Sequence, residues 1–190
     1  MGRVSRRGSD ANSAFEELVR AHERAVLNYC ARRASRADAW DAASEVFLVA
    51  WRRFDDVPAE PEVRAWLFGV AYRVLANQRR SAKRRTRLFE RIVSFETTSS
   101  VLASEPFIAN LDGPVIEALG RLNPVDREVL QMALWDGLSR REIAAALNIS
   151  ADTVNKRYSR AKNRLGEELG KESKMMGRAT PKTTTKGGTA

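Results

Sequence analysis

The stretch from Leu138 to Leu165, LSRREIAAALNISADTVNKRYSRAKNRL, leaves the chain little freedom of fold. Ser139 stands three residues before Glu142, the spacing of a capping box that starts a helix. Ile143, Ala144 and Leu147 give that helix an apolar face. Asn148 follows, and asparagine tolerates the left-handed conformation of a sharp turn. Ser150 then caps a second helix, whose Val154, Tyr158, Ala161 and Leu165 recur on one side. The small side chain of Ala144 lets the two helices cross closely, as a helix-turn-helix requires.

The far side of the second helix carries Thr153, Asn155, Lys156, Arg157, Ser159, Arg160, Lys162 and Arg164. A helix in the DNA major groove reads bases with some outward side chains and grips phosphates with flanking cations. Asn155, Lys156, Ser159 and Arg160 are spaced to reach base edges, with Arg or Lys to guanine and Asn to adenine. Arg157, Lys162 and Arg164 suit phosphates. The plain alternative is a solvated basic face, but here the face follows a capped helix and a tight turn. The net charge of +9 makes a polyanion the natural partner.

Other chemistry finds little support. The single histidine, His22, falls on an apolar helical stripe and reads as a packed residue. No G-x-x-x-x-G-K-[ST] loop or G-x-G-x-x-G turn occurs. One cysteine, Cys30, allows neither an internal disulfide nor a thiolate cluster. Adjacent acids such as Asp55 and Asp56 read as solvated loop residues. The expectation is a protein that is not an enzyme and uses no cofactor or metal. The polar N-terminus and the lack of a long apolar run predict a cytoplasmic protein without a membrane segment.

Along the rest of the chain the pattern is helical, and no strand-like alternation appears. Residues 1–12 are polar and predict a disordered end. Ser13 and Glu16 form a capping-box pattern ahead of Phe15, Leu18, His22, Val26 and Tyr29. A second helix is expected near Asp38, with the stripe Ala43, Val46, Phe47, Ala50 and Trp51. Asp38, Asp41 and Glu45 lie beside Phe47 and Trp51; acids in a first helical turn suit the dipole, and such a face also suits a protein partner. Phe54 to Glu62 reads as a loop, with Pro61 placed either in it or in the next first turn. The following helix carries Val63, Trp66, Leu67, Val70, Ala71, Val74 and Leu75, then the basic stretch RRSAKRRTR. Cations beside aromatic rings suit opened DNA, whose bases stack on exposed rings; Trp66 and Phe68 equally suit a core.

From about Leu88 to Asn110 the periodicity fails, and SFETTSSVLASEP reads as a linker. Asp112 is placed to cap a short helix bearing Val115, Ala118, Leu119 and Leu122. Asn123 and Pro124 then supply an N-cap and a first-turn proline for a helix ending at Asp136-Gly137. The tail is low in apolar residues. The predicted architecture is all-α: two small helical domains on a flexible linker, the second a helix-turn-helix. The boundaries are 1–12, 13–87, 88–111, 112–169 and 170–190, with the last segment disordered.

These pieces, in this order, resemble the extracytoplasmic-function (ECF) sigma factors of bacterial RNA polymerase. DAASEVFLVAWRRF looks like the family's core-polymerase-binding helix, and VRAWLFGVAYRVLANQRR like its promoter-melting helix. LNPVDREVLQMALWDGLSRREIAAALNISADTVNKRYSRAKNRL looks like its fourth domain. The resemblance implies that residues 13–87 form sigma domain 2 and residues 112–169 sigma domain 4. It implies that Asp38, Asp41, Glu45, Phe47 and Trp51 meet the clamp helices of the polymerase's largest subunit. Arg64, Trp66, Arg73, Asn77, Arg80, Lys83 and Arg84 would hold the opened −10 element, with the 54–62 loop cradling a flipped base. The outward residues of the last helix, Thr153 to Arg164, would read the −35 element, and the flap of the second-largest subunit and an anti-sigma protein are further implied partners. Two rival readings remain: a helix-turn-helix regulator acting as a dimer without sigma activity, and a DNA-processing enzyme with a helix-turn-helix tail.

Overall fold

The computed structural model describes residues 3–92 and 113–178, with side-chain surroundings for 10–87 and 113–171. The described residues are helical and contain no strand. Three helices make the first unit: α1 Arg3–Ala31, α2 Arg36–Arg52 and α3 Val63–Ile92. Four make the second: α4 Gly113–Gly120, α5 Pro124–Leu134, α6 Arg140–Leu147 and α7 Ala151–Arg178.

Local chemistry sets several helix ends. Ser35 caps α2 by accepting from the Asp38 N–H. Asn123 caps α5 by accepting from the Val125 N–H, with Pro124 at the first position. Gly137 takes the left-handed conformation at φ 66°, and α6 follows. Ser139 and Glu142 form the full reciprocal capping box. Asn148 turns the chain at φ 54°, and Ser150 accepts from the Thr153 N–H at 3.1 Å to start α7.

Two expectations are corrected here, and the open placement of Pro61 falls in the loop. The Ser13–Glu16 pattern is not a cap, because α1 already runs from Arg3; nothing in GRVSRRGSDAN forbids a helix, and no proline stops it. Pro61 lies outside α3, which begins at Val63 after a short 3₁₀ turn at Phe54–Asp56. Helix α7 continues to Arg178, past the expected edge of the tail. The Asp112 cap and most of the expected linker lie outside the described residues.

The first unit packs Val26, Tyr29, Ala42, Ala43, Val46, Leu67, Phe68 and Ala71. Tyr29 and Phe68 stack with centroids 4.7 Å apart, a contact worth about 0.5–1.5 kcal/mol beyond area burial. The second unit has its own cluster of Leu119, Leu122, Leu130 and Ala161.

The two units are not independent, as separate small cores would have been. The main core continues through Val129, Met132, Leu138, Ile143, Ala146 and Val154 of the second unit. Helices α3 and α6 meet where Gly69 faces the backbone of Ala146; a Cβ on Gly69 would lie 2.6 Å from the Ala146 carbonyl oxygen. Only glycine permits that approach.

Candidate nucleic-acid interface

Helix α7 is locked on one side and free on the other. Val154 and Ala161 are fully buried, Tyr158 and Leu165 are half-buried, and the Arg140 guanidinium stacks 3.4 Å from the Tyr158 ring. Opposite them, Asn155, Lys156, Ser159, Arg160, Lys162 and Arg164 are exposed. Thr153 is half-buried beside the cap. Arg157 departs from its expected role as a phosphate contact. It is 31% exposed and donates to the buried Asp126 carboxylate at 2.7 Å.

Helix α3 presents a second basic face. Arg73, Asn77, Arg80, Lys83 and Arg84 are exposed; Arg80 donates to Asn77 Oδ1 at 2.6 Å and Arg84 to Ser81 Oγ at 3.0 Å. The two remaining members of the expected set are already engaged. Trp66 is half-buried against the core with Arg53 over its ring at 5.9 Å. Arg64 donates to the Asp136 carbonyl oxygen and lies 5.5 Å from the Phe68 ring. Phe68 is core.

The loop from Phe54 to Glu62 is tied at both ends. Phe15 packs edge-on against Trp51 and Phe54, at 4.9 and 5.9 Å between centroids. Arg53 pairs with Asp56 at 2.9 Å, and His22 Nε2 lies 3.0 Å from Glu60 Oε1.

The outer face of α2 is more apolar than expected. Asp41 and Glu45 are exposed, and Trp51 is 42% exposed, but Phe47 leans on the core and Asp38 is occupied in the first turn with Ser35. Trp40 and Leu48 complete that face at 57% and 46% exposure, and sequence reasoning missed both. The signal was present: positions 40, 44, 48 and 51 share one side of a helix, opposite Ala39, Ala42, Ala43, Val46 and Ala50.

Between the units lies a buried ionic cluster. Tyr29 Oη donates to Glu128 at 2.5 Å, and Arg33 Nε donates to the same carboxylate at 2.9 Å. Arg33 Nη2 reaches Asp136 at 2.7 Å, and Arg32 reaches the other Asp136 oxygen at 2.5 Å. Burial opposes the Arg33 charge, yet Glu128, Tyr29 and Asp136 outweigh it and hold its pKa above the usual arginine value. Burial pushes the Tyr29 hydroxyl well up, with Glu128 adding to it. Among the described residues no group of His, Cys, Asp and Glu is placed to hold a metal ion, and no helix is long and apolar enough to cross a membrane.

Among the described residues, a helix-turn-helix with an exposed basic outer face stands beside a three-helix unit with a second basic face, which defines a class: a helical DNA-binding protein of two regions. Residues 18–85 match the family described as Sigma-70 region 2, and residues 113–165 match Sigma-70, region 4. The chain is 32% identical over 169 residues to the RNA polymerase sigma factor NccH of Alcaligenes xylosoxydans xylosoxydans, spanning 85% of this chain and 90% of that protein. It is 32% identical over 164 residues to the ECF RNA polymerase sigma factor SigL of Mycobacterium tuberculosis, spanning 83% and 89%. The chain belongs to the ECF sigma factors, which direct RNA polymerase to promoters.

Two solved structures share the fold. The sigma factor RpoE in complex with the anti-sigma factor NepR from Bartonella quintana superposes with a TM-score of 0.63 at 23% identity, covering 83% of this chain and 97% of that one. CnrH in complex with the cytosolic domain of CnrY gives 0.58 at 22% identity, covering 90% and 96%.

Proposed function

We propose that the chain carries out promoter recognition with three surfaces. The outer face of α7 reads the −35 duplex through Asn155, Lys156, Ser159 and Arg160, with Lys162 and Arg164 on phosphates. The basic face of α3 (Arg73, Asn77, Arg80, Lys83 and Arg84) holds the opened −10 strand beside the 54–62 loop. The outer face of α2, with Trp40, Asp41, Glu45, Leu48 and Trp51, docks on the clamp helices of the polymerase's largest subunit, and the second unit meets the flap. The protein works in the cytoplasm by binding rather than by covalent chemistry. An anti-sigma protein is a further partner, on the pattern of the RpoE and CnrH complexes.

One observation carries this reading: α7 is fixed by its buried side while Asn155, Lys156, Lys162 and Arg164 are exposed to solvent on its outer face. The geometry suits a groove, because an exposed, pre-ordered basic helix contacts base edges without rearranging. Run-off transcription with core polymerase on a −35/−10 promoter library tests it. Transcripts that start at promoters sharing two spaced elements are expected. Tight binding to a palindromic duplex with no association with core enzyme would instead favour a dimeric regulator.

A further inference from the structure

Asp126 is the third residue of α5 and only 4% exposed. An acid in a first turn is favoured by the helix dipole, but here Asn123 already caps the helix. The Asp126 carboxylate instead crosses to α7 and lies between two arginines one turn apart. Its Oδ1 accepts from Arg157 Nη1 at 2.7 Å, and its Oδ2 lies 3.6 Å from Arg160 Nη1. The two arginines differ in their surroundings. The Arg157 Nε is buried with no hydrogen-bond partner, so that side chain is committed inward. Arg160 is 65% exposed.

We propose that Asp126 is a positioning residue for promoter recognition: clamped by Arg157, it holds the Arg160 guanidinium on the outer face of α7 and restricts which base that guanidinium addresses. This rests on α7 being the −35-reading helix. An unrestrained surface arginine samples many rotamers and grips any phosphate within reach. A guanidinium held by a carboxylate loses less freedom on binding and meets a guanine edge in one orientation. The carboxylate also cancels one of the two positive charges, which weakens sequence-independent attraction to DNA and leaves the directed contact.

Reconstituted holoenzyme and a promoter library randomised across the −35 element test this, read as relative occupancy and salt dependence. Asp126→Asn keeps the shape and removes the charge. Preference at one −35 position should fall by about tenfold. Binding to unrelated duplex should hold or rise, and the salt dependence should steepen by about one phosphate. A merely structural role would lower specific and non-specific binding together, and that result, or an unchanged preference, overturns the proposal.

Arg157→Met is the second variant, and it decides the matter if Asp126→Asn does not fold. Freed of its clamp, Asp126 should draw Arg160 inward, and preference should drop at the same position. An equal loss over all sequences with a shallower salt slope would make Arg157 a phosphate contact and overturn the proposal. Arg160→Ala separates the two levels. If it leaves −35 preference intact, the reading of α7 fails and Asp126 falls with it. If it flattens a position that Asp126→Asn leaves untouched, only the role of Asp126 fails.

Discussion

Cys30 shows how position decides the chemistry of a residue. Its thiol is buried beneath the turn that carries Arg33, and burial pushes its pKa up to about 12; Arg33 pulls it down and Asp136 adds to the rise. The thiolate is the reactive form, so this cysteine is inert in the folded protein. A thiol reagent at pH 8 should leave the native protein unlabelled and react once denaturant is added; rapid labelling in buffer would contradict this. Because the folded pKa is raised, the contribution of Cys30 to stability is complete below the ordinary thiol value of 9.0 and declines as pH climbs from there towards about 12. At this scale the sequence showed which residues face outward on α7 but not which of them are occupied. Arg157 sits on the same wheel position as a phosphate contact, and only the fold brings Asp126 beneath it. Trp40 and Leu48 are not legible as exposed from periodicity alone, because apolar residues occur on both sides of α2 and only packing shows which side is buried.

Helix ends were the most legible part of the element scale, because a cap needs only residues a turn apart. The Ser139–Glu142 box, the Asn123-Pro124 start, the Gly137 stop and the Asn148 turn all stand as spacing predicts. Ser139→Ala should cost about 1 kcal/mol in thermal unfolding, through loss of the hydroxyl that accepts from Glu142 N–H. The hydroxyl and backbone N–H of Ser139 hold the Glu142 carboxyl below its ordinary pKa. The stability this supplies is present above the ordinary carboxylate value and is lost as pH falls through the depressed one, so the Ser139→Ala deficit should shrink in acid. At Asn148, substitution by Val should cost about 1–2 kcal/mol while Gly is tolerated, since φ is positive there. Equal melting temperatures for the two variants would contradict that. The Ser13–Glu16 pattern misled for the converse reason: a cap works only where the preceding chain leaves the helix, and here it does not.

Across the whole molecule, the closure of one unit on the other was not legible. It depends on partners about a hundred positions apart, such as Arg33 with Glu128 and Asp136, and no local period records them. It also depends on Gly69, whose sequence neighbours give no sign that it is the point of contact with Ala146. Gly69→Val should wedge the joint apart. X-ray scattering of the free protein should then show a larger radius of gyration at unchanged helical content; an unaltered radius would show that the joint yields elsewhere.

The cluster around Arg33 has a consequence for how such a joint comes undone. A greasy seam resists parting because water penalises every apolar patch it uncovers, whereas guanidinium and carboxylate groups regain hydration as they separate. The ionic cluster therefore fixes one register when the joint is shut, while the apolar contacts of Val129, Met132, Leu138 and Ile143 around it resist its opening.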